Sequence, residues 1–481
     1  MVSLRCAGCA ELVPLGGAGL AWACPRRDSG DGADHVLVRH LEPTQGWPAS
    51  APAWGESPYR RFAGRLFARH LAEAHGLGDA FEAIVSGLED AIEAVDGRTF
   101  RTARPQVEED LAGIAGMGPG TLQVKDETGN VSGSHKARHL MGVLLTLEVA
   151  ERAGLARVGQ RLAIASCGNA ALAAATLAAA AKRPLDVYVP ESADPTVVAR
   201  LGHLGATVHP CARRAGEAGD PSYLRFREAV AGGALPFSCQ GPDNGLAVEG
   251  GLTLGWELAE ALAEAPVDHL FVQVGGGALG SAVAEGLREA NLAGRLEKVP
   301  KIHLVQTRGA WPLARAYARL SAGALLPGEK AAAPDEGWSD ERLTEHAARA
   351  SALYWAYRAK QPSVHTAIAQ ARTQRAAFME AWPTEPRSIA HGILDDETYD
   401  WARLLEALLE TGGLPLVVGE PLLAEAQLLA REQTSIPADP TGTAGLAGLL
   451  QLRRAGILEH DERCLVLFTG IDREVEAARR R

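Results

Sequence analysis

Between Tyr59 and Ala94 the apolar residues recur three or four positions apart: Phe62, Leu66, Phe67 and Leu71, then Phe81, Ile84, Val85, Leu88 and Ile92. That period predicts amphipathic helices. Beyond about residue 100 the texture changes. Short apolar runs at 162–166, 186–190, 269–274, 302–306 and 465–469 read as buried strands, and longer stretches with helical spacing separate most of them. Strands of this kind alternating with helices predict an α/β protein with largely parallel sheets. The segment 326–385 is charged and Ala-rich with helical spacing, so it reads as a helical insertion covering the α/β body. Within it, 327–337 carries Pro334 and reads as an exposed linker. Residues 1–55 are rich in Gly, Pro and Trp and read as irregular.

Composition narrows the function more by exclusion than by suggestion. The 481 residues suffice for two or three domains, and 47% hydrophobic with 22% charged residues is ordinary for a globular protein. The net charge of −11 and the lack of a basic stripe argue against nucleic acid and anionic membranes as partners. No continuous apolar segment follows the N-terminus, and the Ala-rich run 170–181 is too short to span a bilayer. Seven cysteines do not make a disulfide framework, so a cytoplasmic protein is expected. Cys6, Cys9 and Cys24 are spaced like part of a zinc ribbon, but a structural zinc takes four ligands and the second Cys-x-x-Cys is missing. His35 and His40 are the candidates to complete a set. No metal is assigned, and a vestigial ribbon fits the spacing as well.

Three segments at strand-to-helix junctions carry candidate chemistry. In VKDETGNVSGSHKARHL (124–140), Lys136 opens a helical run behind a turn-forming stretch. A lysine that forms a Schiff base must be partly neutral, and both the positive end of a helix and the nearby Arg138 favour that. Most loop lysines are simply solvated. In ASCGNAALAAATLAAAAK (165–182), a strand ends in Ser166-Cys167-Gly168-Asn169 and a helix follows from Ala170. The backbone N–H groups of such a turn suit a carboxylate. A plain capping turn with Ser or Asn at the cap would use the same residues. In QVGGGALGSAVAEGL (273–287), Gly275, Gly276, Gly277, Ala278, Leu279 and Gly280 lie between a strand and a helix, where a run of glycines lets backbone approach a phosphate and has little packing use. The run also fits G-x-G-x-x-G. The acidic residue that a dinucleotide site needs is absent, because the next strand ends at Gln306-Thr307, so a single phosphate fits better than NAD.

Taken in order, these segments resemble fold-type II pyridoxal-phosphate (PLP) enzymes, the tryptophan synthase β superfamily. The likeness lies in Ser134-His135-Lys136, then Ser166-Cys167-Gly168-Asn169, then Gly275 to Gly280, then Thr469-Gly470 after the strand LVLF. It runs from about residue 100 to the C-terminus. Within that family the wording is most similar to threonine synthase-like proteins, through EGGLTLGWEL (249–258), PTGTAGLAGLL (440–450) and LVLFTGIDR (465–473). The resemblance implies two twisted, largely parallel sheets flanked by helices. It implies a large cofactor-binding domain from 56–135 and 250–481 and a small α/β domain from 136–249, behind an N-terminal extension of 1–55. It also implies pyridoxal 5′-phosphate held as an internal aldimine on Lys136, with Asn169, Gly275 to Gly280 and Thr469 binding the cofactor. Ser166 to Ala170 would bind the substrate carboxylate. The expected activity is β-elimination or β/γ-replacement on a small amino acid by a cytoplasmic homodimer. Two alternatives stay open: threonine synthase acting on O-phosphohomoserine, and a non-catalytic ligand-binding protein on the same fold. Against the first, the position where threonine synthases commonly carry a phosphate-binding arginine is Ala247. His391, Asp395 and Asp396, in a segment that departs from the family wording, are candidates for a different substrate pocket.

Overall fold

The computed structural model describes residues 3–13, 19–51, 53–217, 219–322, 337–360 and 363–479. The chain folds as two compact units. Unit 1 comprises Met1–Ser29, His35–Thr102 and Gly129–Leu254, and unit 2 comprises Gly30–Asp34, Ala103–Thr128 and Gly255–Arg481. Residues 56–102, 129–135 and 250–254, expected in the large domain, cluster with unit 1.

Unit 1 holds a four-stranded sheet in the order Thr207–Cys211, Leu185–Pro190, Leu162–Ala165, Leu235–Pro236, with every pairing parallel. Its central strands are apolar runs because helices cover both faces of a parallel sheet. The outer strand Thr207–Cys211 is half-exposed and contains Pro210, as edge strands tolerate. The helix Lys136–Arg152 is buried nearly all round. It crosses the helix Ala247–Glu264 where Gly142 meets Gly250, backbone against backbone. The expected helices appear as Pro58–Arg61, Phe67–Ala74 and Phe81–Asp96.

The N-terminal extension is mostly turns and irregular chain, as expected, but it carries a small three-stranded sheet. Ser3–Cys6 pairs antiparallel with both Leu12–Val13 and Leu37–His40. Strands of two to four residues are too short for alternation to show in the sequence. This sheet brings His35 to Cys6, Cys9 and Cys24, while His40 ends its strand exposed.

Unit 2 holds six strands in the order Pro415–Val418, Lys301–Thr307, His269–Gln273, Cys464–Phe468, Leu122–Asp126, Gln106–Val107. All pairings are parallel except the last. The parallel strands therefore present their carboxyl ends at one edge, where open α/β sheets carry their sites. The expected helical insertion contains Asp340–Tyr357, Val364–Arg372 and Arg375–Phe378. The expected linker 327–337 lies, except for Gly337, outside the described residues.

Candidate active site

Lys136 is the first residue of its helix, in unit 1. The turn before it is tightly determined. Ser132 has φ 56° and Gly133 φ 74°, both left-handed, and Ser132 N donates to Asp96 Oδ2 at 2.8 Å. A non-glycine residue in that region costs about 1–3 kcal/mol and persists where surrounding contacts over-determine it. Lys136 is half-buried and has no hydrogen bond or ion pair with any described residue. Ser134, two residues earlier, is fully buried with its Oγ unpaired among the described residues. Arg138 is also buried, and it donates to Thr253 Oγ1 at 3.3 Å.

The second segment lies in the same unit. The strand Leu162–Ala165 ends before Ser166, and the helix Asn169–Ala180 begins three residues on. Gly168 holds the capping position and no side chain caps this helix, which removes the plain capping turn as an explanation. The first-turn N–H groups have no acceptor within their own helix. Residues 166–170 are half-buried to exposed, although the strand and helix around them are largely buried.

In unit 2, Gly275, Gly276 and Gly277 follow the buried strand His269–Gln273, and Gly277 (φ 104°) precedes the helix Ala278–Leu292. The glycines have a packing use after all. A Cβ on Gly275 would overlap Asp395 Oδ2 and lie 2.9 Å from Ile393 Cα, and one on Gly276 would lie 2.9 Å from the Tyr399 ring. Thr398 Oγ1 donates to Gly275 O at 3.1 Å, and Asp400 N donates to Gly276 O at 3.2 Å. The segment 393–400 thus backs the glycine loop. Asp395 abuts it, whereas Asp396 accepts a backbone bond from Trp382 N. His391 lines a surface depression of about 470 Å³ together with Arg387, Ser388 and Glu420.

Thr469 follows the strand Cys464–Phe468 and is buried. Gln273 Nε2 donates to Gly442 O at 3.0 Å, to Leu467 O at 3.3 Å and, closely, to Thr469 Oγ1. Two of these acceptors are carbonyls, so the amide can be oriented only with its nitrogen toward them. Thr469 Oγ1 must then accept from Gln273, and its own hydrogen points elsewhere.

A family model described as "Pyridoxal-phosphate dependent enzyme" matches residues 110–337. Over that span, just under half of the chain, the protein is similar to the fold-type II PLP-dependent enzymes. Its cofactor is pyridoxal 5′-phosphate. This PLP enzyme is similar to a threonine synthase of Methanocaldococcus jannaschii, 23% identical over 355 residues, which are 74% of this chain and 71% of that protein. It is also similar to a serine dehydratase-like protein of Rattus norvegicus, 32% identical over 223 residues, 45% of this chain and 60% of that one. A solved serine racemase of maize shares the fold, with a TM-score of 0.53 at 17% identity over 82% of this chain and 96% of that one.

The residues of this PLP enzyme fit the cofactor's needs in each unit separately. Unit 1 offers a lysine without a partner among the described residues and an orphaned buried hydroxyl, Ser134 Oγ. Unit 2 offers a glycine loop at a helix N-terminus, and two more orphaned buried atoms, Ser281 Oγ and Gln273 Oε1. Ser134, Gln273 and Ser281 are not singled out by their sequence patterns as cofactor ligands. Gln273 has a visible signal: it is a polar residue inside the apolar run HLFVQV, next to the glycines.

Proposed function

We propose that this enzyme catalyses β-elimination or β/γ-replacement on a small amino acid, serine, threonine or an O-substituted relative, with Lys136 as the residue that carries the cofactor. The observation that carries the reading is Lys136 itself: a half-buried lysine without a salt bridge to any described residue, at the start of a buried helix. An amine that no carboxylate holds is available as a nucleophile. Bound PLP supplies the electron sink for the bond broken at the substrate Cα.

Every other part is supplied by the chain. The Lys136 amine would take the proton from the substrate Cα. The N–H groups of Ser166 to Ala170 hold the substrate carboxylate, with Asn169 as a hydrogen-bond donor to the cofactor ring oxygen. The N–H groups of Gly275 to Gly280, at the start of the helix Ala278–Leu292, hold the phosphate. Thr469, which accepts from Gln273, would face the ring nitrogen with its hydroxyl. A hydroxyl there, unlike a carboxylate, would leave that nitrogen unprotonated, which suits loss of a good leaving group.

Relatives named serine dehydratase and threonine synthase support the substrate class. Elimination is favoured over reaction with O-phosphohomoserine. Ala247, at the position where threonine synthases commonly carry a phosphate-binding arginine, is fully buried and its side chain offers a substrate phosphate no charge or hydrogen bond. The same reading carries a cytoplasmic homodimer, which sedimentation would check. The deciding experiment is the visible absorbance of the purified enzyme and of Lys136→Ala, each titrated with serine, threonine, O-phosphoserine and O-phosphohomoserine. A band lost in the variant, and perturbed in the wild type by serine or threonine, is expected. A band that survives Lys136→Ala would overturn the assignment of this lysine.

A further inference from the structure

The N-terminal sheet places three thiols and an imidazole around one point. Cys6 Sγ lies 3.6 Å from His35 Nδ1, Cys24 Sγ lies 3.5 Å from the same nitrogen, and Cys9 and Cys24 Sγ are 3.7 Å apart. All four ligand atoms lie within 4.8 Å of one another. A tetrahedral zinc with Zn–S about 2.3 Å and Zn–N about 2.0–2.1 Å sets sulfur–sulfur edges of about 3.8 Å and sulfur–nitrogen edges of about 3.5 Å. The 3.5, 3.6 and 3.7 Å edges of this cluster match, and the remaining ones lie within 4.8 Å. They are far from a disulfide, whose sulfurs lie about 2.05 Å apart.

The backbone around the cluster is arranged for thiolates. Cys9 N donates to Cys6 Sγ at 3.5 Å and Arg26 N donates to Cys24 Sγ at 3.4 Å. Such N–H···S contacts stabilise metal-bound sulfur. Ala10, just after the Cys6–Cys9 knuckle, is held at φ 62°. Cys6, Cys24 and His35 are buried, and Cys9 is half-buried. Four protein ligands leave no open position, which marks a structural site.

We infer that Cys6, Cys9, Cys24 and His35 form a Cys₃His structural zinc site. Binding releases the three thiol protons and leaves a complex of net charge −1, with the imidazole neutral. The site anchors the N-terminal segment to the loop that leads into the helix Ala247–Glu264. The carbonyl of Trp22, two residues before Cys24, accepts from Gly245 N at 2.8 Å, and a Cβ on Gly245 would lie 2.6 Å from Leu37 Cβ. Arg27 pairs with buried Asp243 at 2.5 Å, and Arg39 Nε pairs with buried Glu249 at 2.8 Å. The metal thereby fixes the spacing between the strand carrying Arg39 and the turn carrying Arg27.

The test is metal analysis of the full-length holoenzyme purified under reducing conditions from zinc-replete medium. About one zinc per chain is expected, falling to below about a tenth in Cys24→Ala and in His35→Ala. The wild-type protein exchanged with cobalt(II) should show the ligand-field bands of a tetrahedral thiolate site, in the red, clear of the cofactor. The cobalt spectrum needs no variant to fold. Wild-type protein that holds no zinc and gives no such bands would overturn the site. Iron in place of zinc, or a Cys9–Cys24 disulfide found by mass spectrometry of the native protein, would do the same.

Discussion

Gly250→Ala tests whether the helix crossing in unit 1 sets the position of Lys136. A methyl group at Gly250 would overlap the carbonyl oxygen of Arg138 and come within 2.8 Å of Gly142 N and 2.9 Å of Arg138 C. These obstacles are backbone, so no rotamer change relieves them. Restoring normal contact requires the two helices to part by roughly 1.5 Å. Overpacking of a core costs about 1–3 kcal/mol, and a backbone obstacle puts the cost near the upper figure. Arg138 stands two residues after Lys136, so the displacement reaches the lysine. A misplacement of about 1 Å at a reacting group can cost about 10²-fold in rate. The assay is urea unfolding together with kcat on serine or threonine. Gly87→Ala serves as the control, because Gly87 is exposed on the helix Phe81–Asp96 with open space around its Cβ. That change should stabilise by about 0.5–1 kcal/mol. If Gly250→Ala is as stable as wild type and keeps its kcat, the crossing is not the constraint described.

Other outcomes follow from buried polar groups in unit 2. Leu414 N donates to His303 Nδ1 at 3.2 Å, His303 Nε2 meets His269 Nδ1 at 2.8 Å, and His269 Nε2 meets Glu462 at 3.1 Å. Burial holds His303 well below its ordinary value of 6.5 and lowers His269 as well. Both are neutral when folded, so their stabilisation is present above about pH 6.5 and is lost as pH falls below it, by up to about 1.4 kcal/mol per pH unit per histidine. Urea midpoints that stay flat from neutral to mildly acidic pH, or a slope unaltered in His303→Phe, would contradict this. Thr469→Val should lower kcat about tenfold, the worth of one hydrogen bond, and Gln273→Leu should act in the same direction by releasing Thr469. Unchanged steady-state rates in both would remove Thr469 from the site. Lys125 pairs with Glu127 at 2.9 Å and Glu257 at 3.0 Å, all three buried, so Lys125→Met should cost about 3–5 kcal/mol in urea unfolding by removing the cation that two buried carboxylates share.

Legibility in the sequence followed how local the cause was. The five apolar runs all became strands, because a strand covered on both faces is a continuous apolar run whatever surrounds it. Thr207–Cys211 did not stand out, since an edge strand with Pro210 and His209 has no such run. Pro415–Val418 is only four residues long. Of the proposed site, Lys136, the 166–170 turn, the glycine loop and Thr469 are legible as ordered motifs. The reason for the glycines is not. It depends on Asp395 and Tyr399, which lie far downstream in the chain. His35 was a candidate ligand on equal terms with His40, and only the pairing of Cys6 with Leu37 distinguishes them.

The path of the chain between the two units has a consequence for biosynthesis. The polypeptide leaves unit 1 and returns to it twice before residue 254, and after that it stays in unit 2. A ribosome therefore delivers everything unit 1 needs by mid-synthesis. The strand Leu122–Asp126 of unit 2, by contrast, must wait for Cys464–Phe468, its parallel partner near the other end of the chain. Pairings this remote in sequence form slowly, and an apolar strand with an open edge invites the wrong neighbour meanwhile. Nascent chains halted before residue 464 should be soluble only with a chaperone bound. Neither unit can be excised by a single cut, so proteolysis of this enzyme should yield nicked, still associated fragments rather than separable domains.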